Sequence, residues 1–119
     1  MKGFNVYQET AISTQSRGQL IVMLYDGAIK FLRQAIEDFK RGDLISKGRH
    51  ITKAQDILFE LNTVLDMEKG GQIAQNLRSL YNFMQRHLNQ ANFRKDPRMI
   101  QEVIDLLDEL NQSWRVISG

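Results

Sequence analysis

The sequence predicts an all-α fold, an antiparallel up-down-up-down four-helix bundle with a short N-terminal arm. Three observations predict it. There is one proline in 119 residues, less turn chemistry than a β-rich domain requires. Apolar residues recur at helical spacing over long blocks. Gly42-Asp43, Gly70-Gly71 and Asp96-Pro97 cut the chain into blocks joined by turns of a few residues, which makes successive helices antiparallel neighbours.

Residues 1–15 come first. They are polar, with Phe4, Val6, Tyr7 and Ile12 scattered through them and no sustained period, so they read as an extended or loosely docked arm. The bundle then occupies 16–119. Helix one is expected over about 16–41, because Ser16-Arg17-Gly18-Gln19 has the S-x-x-Q spacing of a capping box and Gly42 stops it. Asp43 suits the cap of helix two, expected over 43–69. Gly70-Gly71 supplies the positive φ of a helix stop, and helix three follows over 72–95. Asp96 as N-cap with Pro97 at the first helical position opens helix four, 96–117.

The faces differ from helix to helix. Helix four has one compact apolar side, Met99, Val103, Leu106, Leu107, Leu110, Trp114 and Ile117, with Ile100 and Ile104 flanking it. Helix one is broader. Leu20, Leu24, Ala28, Phe31 and Ala35 share one side, and Ile21, Tyr25, Ile29, Leu32, Ile36 and Phe39 widen the arc to roughly half the cylinder. Val22 and Met23 lie beyond it. Helix two turns Ile51, Ala54, Ile57, Leu58, Leu61, Val64 and Leu65 inward and carries a second line, Ile45, Thr52 and Phe59, at seven-residue spacing. Helix three turns Ile73, Leu77, Leu80, Tyr81, Met84, Leu88 and Ala91 inward and leaves Phe83 and Phe93 on other faces.

Two readings of this surplus stand side by side. Broad faces serve central helices, and single exposed apolar groups are common. Alternatively Val22, Met23, Ile45, Phe59 and Phe83 line grooves for another chain, where each large side chain buried contributes ~1.5–3 kcal/mol. A self-associating bundle with no client would also use such a surface.

Composition narrows the function classes. With no cysteine there is no disulfide or thiolate metal site, which fits a reducing cytoplasm, and the net charge of +2 is spread over interleaved acids and bases, giving no nucleic-acid footprint. No apolar run approaches the ~20 residues that span a bilayer, and "MKGFNVYQET" lacks the apolar core of a secretion signal. His50 and His87 are preceded three residues earlier by Lys47 and Met84, so the Glu-x-x-His pairs of a carboxylate-bridged di-metal site are absent. No phosphate-binding glycine loop or nucleophile elbow occurs. The expectation is a non-enzymatic protein without cofactor or metal.

Longer motifs add a resemblance. "YQETAISTQSRGQLIVMLYDGAIKFLRQA", "ITKAQDILFELNTVL" and "LYNFMQRHLNQANFRKD", with Trp114 in the last helix, resemble in order and spacing the flagellin-specific export chaperones of the FliS type. The resemblance implies a cytoplasmic four-helix-bundle chaperone that binds the disordered C-terminal segment of flagellin, prevents premature filament assembly and docks on the export gate protein FlhA. The client folds as it wraps the bundle. No direct membrane insertion is implied, and the chain is expected to be a monomer or a weak homodimer.

By the same resemblance, Leu20, Leu24, Tyr25, Gly27, Ala54, Ile57, Leu61, Ala91, Asn92 and Trp114 hold the fold. Lys53 and Gln55 position loops or meet the client's backbone, joining Val22, Met23, Ile45, Thr52, Phe59 and Phe83 in the client grooves. Phe4 and Tyr7 match the family's arm pair, associated with covering a groove or docking on the gate; an arm simply packed on the bundle is the other reading. Where family members often have Thr-Pro-Gly-Glu, this chain has Gln15-Ser16-Arg17-Gly18-Gln19, with no proline and with glutamine in place of glutamate.

Overall fold

The structure, a computed structural model, describes residues 14–118, with side chains from 17 to 117. It is an all-α bundle of four helices: α1 (Thr14–Arg41), α2 (Leu44–Thr63), α3 (Met67–Arg94) and α4 (Pro97–Ser118). Each helix packs along its two neighbours in the order α1, α2, α3, α4 and back to α1, and α1 makes the closest interfaces. The arm with Phe4 and Tyr7 lies outside the described residues.

The turns follow from their residues. Gly42 takes φ +73, and Asp43 caps α2 by accepting the Ser46 N–H at 3.1 Å; that bond holds the Asp43 carboxyl below its ordinary value. At the far end of α3, Lys95 adopts the left-handed conformation (φ 55) and the Asp96 N–H donates back to the Ala91 carbonyl at 3.0 Å, a close of the kind usually made by glycine. Asp96 then accepts the Arg98 N–H at 3.0 Å with Pro97 as the first helical residue.

Two boundaries differ from expectation. Helix one starts at Thr14, so Ser16 lies inside its first turn rather than capping it. Helix two ends at Thr63 rather than Lys69, because Asp66 accepts the Lys69 N–H at 3.0 Å and opens a new turn. Gly70-Gly71 therefore sits one turn inside α3 as a kink: Gly71 has φ 52 and ψ −129, and a Cβ on Gly70 would come within 2.6 Å of the Ala74 methyl.

The core runs the length of the bundle through Tyr25, Ala28, Leu32, Ile51, Leu58, Tyr81, Met84, Leu88, Ile100, Val103 and Leu107. At its centre the Tyr25 and Tyr81 hydroxyls bridge α1 to the diagonally opposite α3 at 2.6 Å, and Trp114 also bonds the Tyr25 hydroxyl. Burial holds both phenols above the ordinary tyrosine value. Gly27 lets α2 come close, since a Cβ there would stand 3.3 Å from Ile57 Cδ1. The inward assignments fail at one end only. Leu20, Val64, Ile73 and Ile117 were expected on core stripes and are exposed. All four lie where α1 and α3 begin and α2 and α4 end, and there the stripes continue past the packed interior.

Candidate partner-binding surface

Two seams of the bundle are closed by polar side chains. Between α2 and α3 the ladder has three rungs. Asn62 donates to Asn82 Oδ1 at 2.9 Å and accepts from Arg78. Gln55 donates to Asn89 Oδ1 at 2.8 Å while Gln85 donates to the Gln55 carbonyl at 2.8 Å. Lys47 donates to the Asn92 carbonyl and side chain with its ammonium 5.2 Å from the Phe39 ring centre. Burial, and then the nearby Lys95, push Lys47 below its usual value. Between α1 and α4, Asp26 accepts from Asn111 at 2.8 Å and Arg115 at 2.6 Å, and Arg33 pairs with Asp108 at 3.3 Å. The polar groove there measures about 520 Å³.

The other two seams each hold a histidine bonded to a carboxylate and stacked on a phenylalanine. His50 donates to the buried Asp38, which also accepts from Arg41 at 2.6 Å, and its ring stacks on Phe31 at 6.2 Å. His87 bonds Glu102 of α4 at 3.0 Å and stacks on Phe83 at 4.9 Å. Both rings are thus spent on pairing helices. Among the described residues no cluster of His, Cys, Asp and Glu could hold a metal ion.

Apart from the single side chains Met23, Phe83 and Phe93, the exposed apolar surface gathers in three places. At the open end, Leu20, Ile21, Leu24 and Val64 line a cleft of about 280 Å³ between α1 and α2. Across that end, Ile73, Leu77, Leu110, Trp114 and Ile117 line a second of about 190 Å³ between α3 and α4. The third place is the outer face of α2, where Ile45 is 78% and Phe59 69% exposed. Thr52 lies between them with its hydroxyl turned back to the Gly48 carbonyl at 3.0 Å, which leaves its methyl to the surface. Phe59 also borders a cleft of about 300 Å³ with Asn62, Thr63, Arg78 and Asn82.

The residues singled out from the sequence do not share one groove. Ile45, Thr52 and Phe59 form the line on α2. Phe83, 40% exposed, stands at the α3/α4 seam, and Met23, 68% exposed, on the outside of α1. Val22 is half-buried. Lys53 is exposed with its ammonium 5.4 Å from the Phe31 ring centre, and Gln55 is engaged in the α2/α3 ladder. Of the motif residues, Tyr25, Ala54, Leu61 and Ala91 are buried; Leu24, Ile57 and Trp114 pack partly buried on the core; Asn92 is held by Lys47. Leu20 is the exception, exposed and lining a cleft. Sequence reasoning missed the open-end clefts, because a helical period carries no mark of where a partner helix stops.

The family model for the flagellar protein FliS matches residues 1–119. The chain belongs to the FliS family. It is similar to the flagellar secretion chaperone FliS of Salmonella typhimurium, 44% identical over 111 residues that cover 92% of this chain and 82% of the relative. It is also similar to the proteins of that name from Vibrio cholerae, at 38% identity covering 89% and 78% of the two chains, and from Bacillus subtilis, at 31% covering 94% and 83%. FliS proteins are secretion chaperones and not enzymes, so this surface belongs to a binding protein. Among the described residues no helix is long and apolar enough to cross a membrane.

Proposed function

We propose that this chain is a cytoplasmic export chaperone that holds the disordered C-terminal segment of flagellin, keeps it from polymerising early and delivers it to the export gate protein FlhA. One observation carries the reading within the FliS family. Large apolar side chains stand outside a finished core on several sides of the bundle, with Met23 on α1, Ile45 and Phe59 on α2 and Phe83 on α3. Surface spread around a bundle fits a client that wraps it in short helices, paying its ordering entropy on binding. Val22, Met23, Ile45, Thr52, Lys53, Phe59 and Phe83 are assigned to that contact, with Gln55 holding the α2/α3 platform. Phe4 and Tyr7 are assigned to covering a groove or docking on the gate; the segment that carries them joins the bundle at its open end, where α1 begins.

Calorimetry with the C-terminal segment of flagellin tests the reading. Binding at one client per chaperone, with a negative heat-capacity change from apolar burial, is expected. A tight homodimer that ignores the segment and buries the same residues overturns it. For the gate, the loaded complex is expected to be retained by the soluble domain of FlhA, and a Phe4→Ala/Tyr7→Ala variant to be released from it.

A further inference from the structure

No contact inside the molecule requires glycine at position 48. It lies in the interior of α2, where glycine destabilises a helix relative to alanine, and a Cβ built on it meets nothing within 4 Å. Gly27, by contrast, is explained by Ile57 and Gly71 by its positive φ. Gly48 sits between Ile45 and Thr52 on the outer side of α2. The rungs Lys47–Asn92 and Gln55–Asn89 set the register that brings Phe93 of α3, 86% exposed, level with this stretch. The result is an apolar strip with a gap in its middle, open enough for a second backbone to come close.

Charge describes what could fill it. Arg49, Arg86 and Lys95 are exposed around the strip, and among the described residues none of them has an ion pair. Asp43, which stays ionised while accepting the Ser46 N–H, and Asp56 are the acids on the same face, so the three cations outnumber the carboxylates by one. The platform is therefore apolar in the middle and net basic at its edges.

We propose that this outer α2/α3 face takes one amphipathic helix of the client, crossing α2 closely at Gly48 and presenting carboxylates to Arg49, Arg86 and Lys95. Gly48 then decides which client helix fits. The inference rests on the chaperone reading above and adds the chemistry of one docking helix, small at its crossing point and acidic along its flanks. Interaxial distance depends on the side chains at the contact, so each carbon added at position 48 pushes the client helix outward and weakens packing along the whole strip.

The test uses the full chain, the C-terminal segment of flagellin, and the variants Gly48→Ala and Gly48→Leu. Gly48→Ala is expected to melt a few degrees higher than the parent, yet to bind about tenfold more weakly. Gly48→Leu is expected to bind more weakly again with its helical content intact. An Arg49→Glu/Arg86→Glu double variant is expected to lose affinity and to flatten the salt dependence of binding. Equal affinity across the position-48 series, or a lower melting temperature for Gly48→Ala, overturns the close crossing. Undiminished binding by the double variant overturns the acidic flank. A parent chain that binds no segment at all sinks the chaperone reading instead, which keeps the two failures apart.

Discussion

Replacing Phe59 by alanine should separate binding from folding. Phe59 is 69% exposed. A phenylalanine offers on the order of 200 Å² of surface, so about 140 Å² of it faces solvent in the free chaperone. If a client helix covers about 60% of that, the transfer contributes about 2 kcal/mol at ~25 cal/mol per Å², roughly a thirtyfold change in Kd. The same substitution should change folding stability by no more than about 0.5 kcal/mol, because little of the ring is packed and alanine is the better helix former. Isothermal titration with the flagellin C-terminal segment reads the first quantity and urea unfolding reads the second. A Phe59→Ala chain that binds like the parent would refute the assignment of the α2 line to the client. One that loses 2–3 kcal/mol of stability would show that the ring belongs to the core.

Further outcomes follow from the interior and from the helix ends. Tyr25→Phe leaves the buried Tyr81 hydroxyl and the Trp114 N–H without their partner, so urea unfolding should show a loss of about 1–2 kcal/mol, part of it recovered in Tyr25→Phe/Tyr81→Phe, where the Tyr81 hydroxyl is gone and only the Trp114 N–H is left unpaired. Burial raises both phenols, so the unfolded chain releases these protons first; their stability contribution is complete below about pH 10 and falls above it. An alkaline denaturation series should show that fall flattened in the double variant. Gly71→Ala places a side chain at φ 52, ψ −129 and should cost about 1–3 kcal/mol by thermal melting. Lys95→Gly relieves the left-handed cap and should gain about 0.5–1 kcal/mol in the same measurement.

The parts of this fold legible in the sequence are those fixed by nearest neighbours. Asp96-Pro97 and Gly42-Asp43 mark their turns because capping is a matter of one side chain and the next three amides. The missed boundary at Asp66 has the same chemistry, but it was masked by an apolar stripe, Leu61, Val64 and Leu65, running straight through the helix end. Leu20, Val64, Ile73 and Ile117 failed for a related reason: a period tells which residues share a side, while burial depends on whether another helix is still alongside. The line Ile45, Thr52, Phe59 was visible because it repeats off the core stripe. Gly48, between them, reads as an ordinary weak helix position until the space over its Cα is seen to be empty.

A bundle with this much apolar surface outside its core faces a difficulty of its own. Helices with apolar residues on more than one side can rotate or slip and bury a different stripe for similar gain, since burial is non-directional. The polar ladders answer it. Sliding α3 along α2 by one turn would separate Gln55 from Gln85 and Asn89, Asn62 from Asn82, and Lys47 from Asn92 together. Slipping α4 on α1 would strand Asp26 from Asn111 and Arg115. Each broken rung gives up a hydrogen bond worth about 0.5–1.5 kcal/mol net, and the part-buried rungs Lys47–Asn92 and Asn111–Asp26 lose more because water replaces their partners poorly, whereas the alternative apolar stripe regains only what the native one gave up. The register is thus held by hydrogen bonds, which are directional, and the oily positions left outside are free to stay outside. On the function proposed above, that division of labour is what the chain needs: an interior that chooses one packing, and an exterior whose apolar side chains are left for a client without packing of its own.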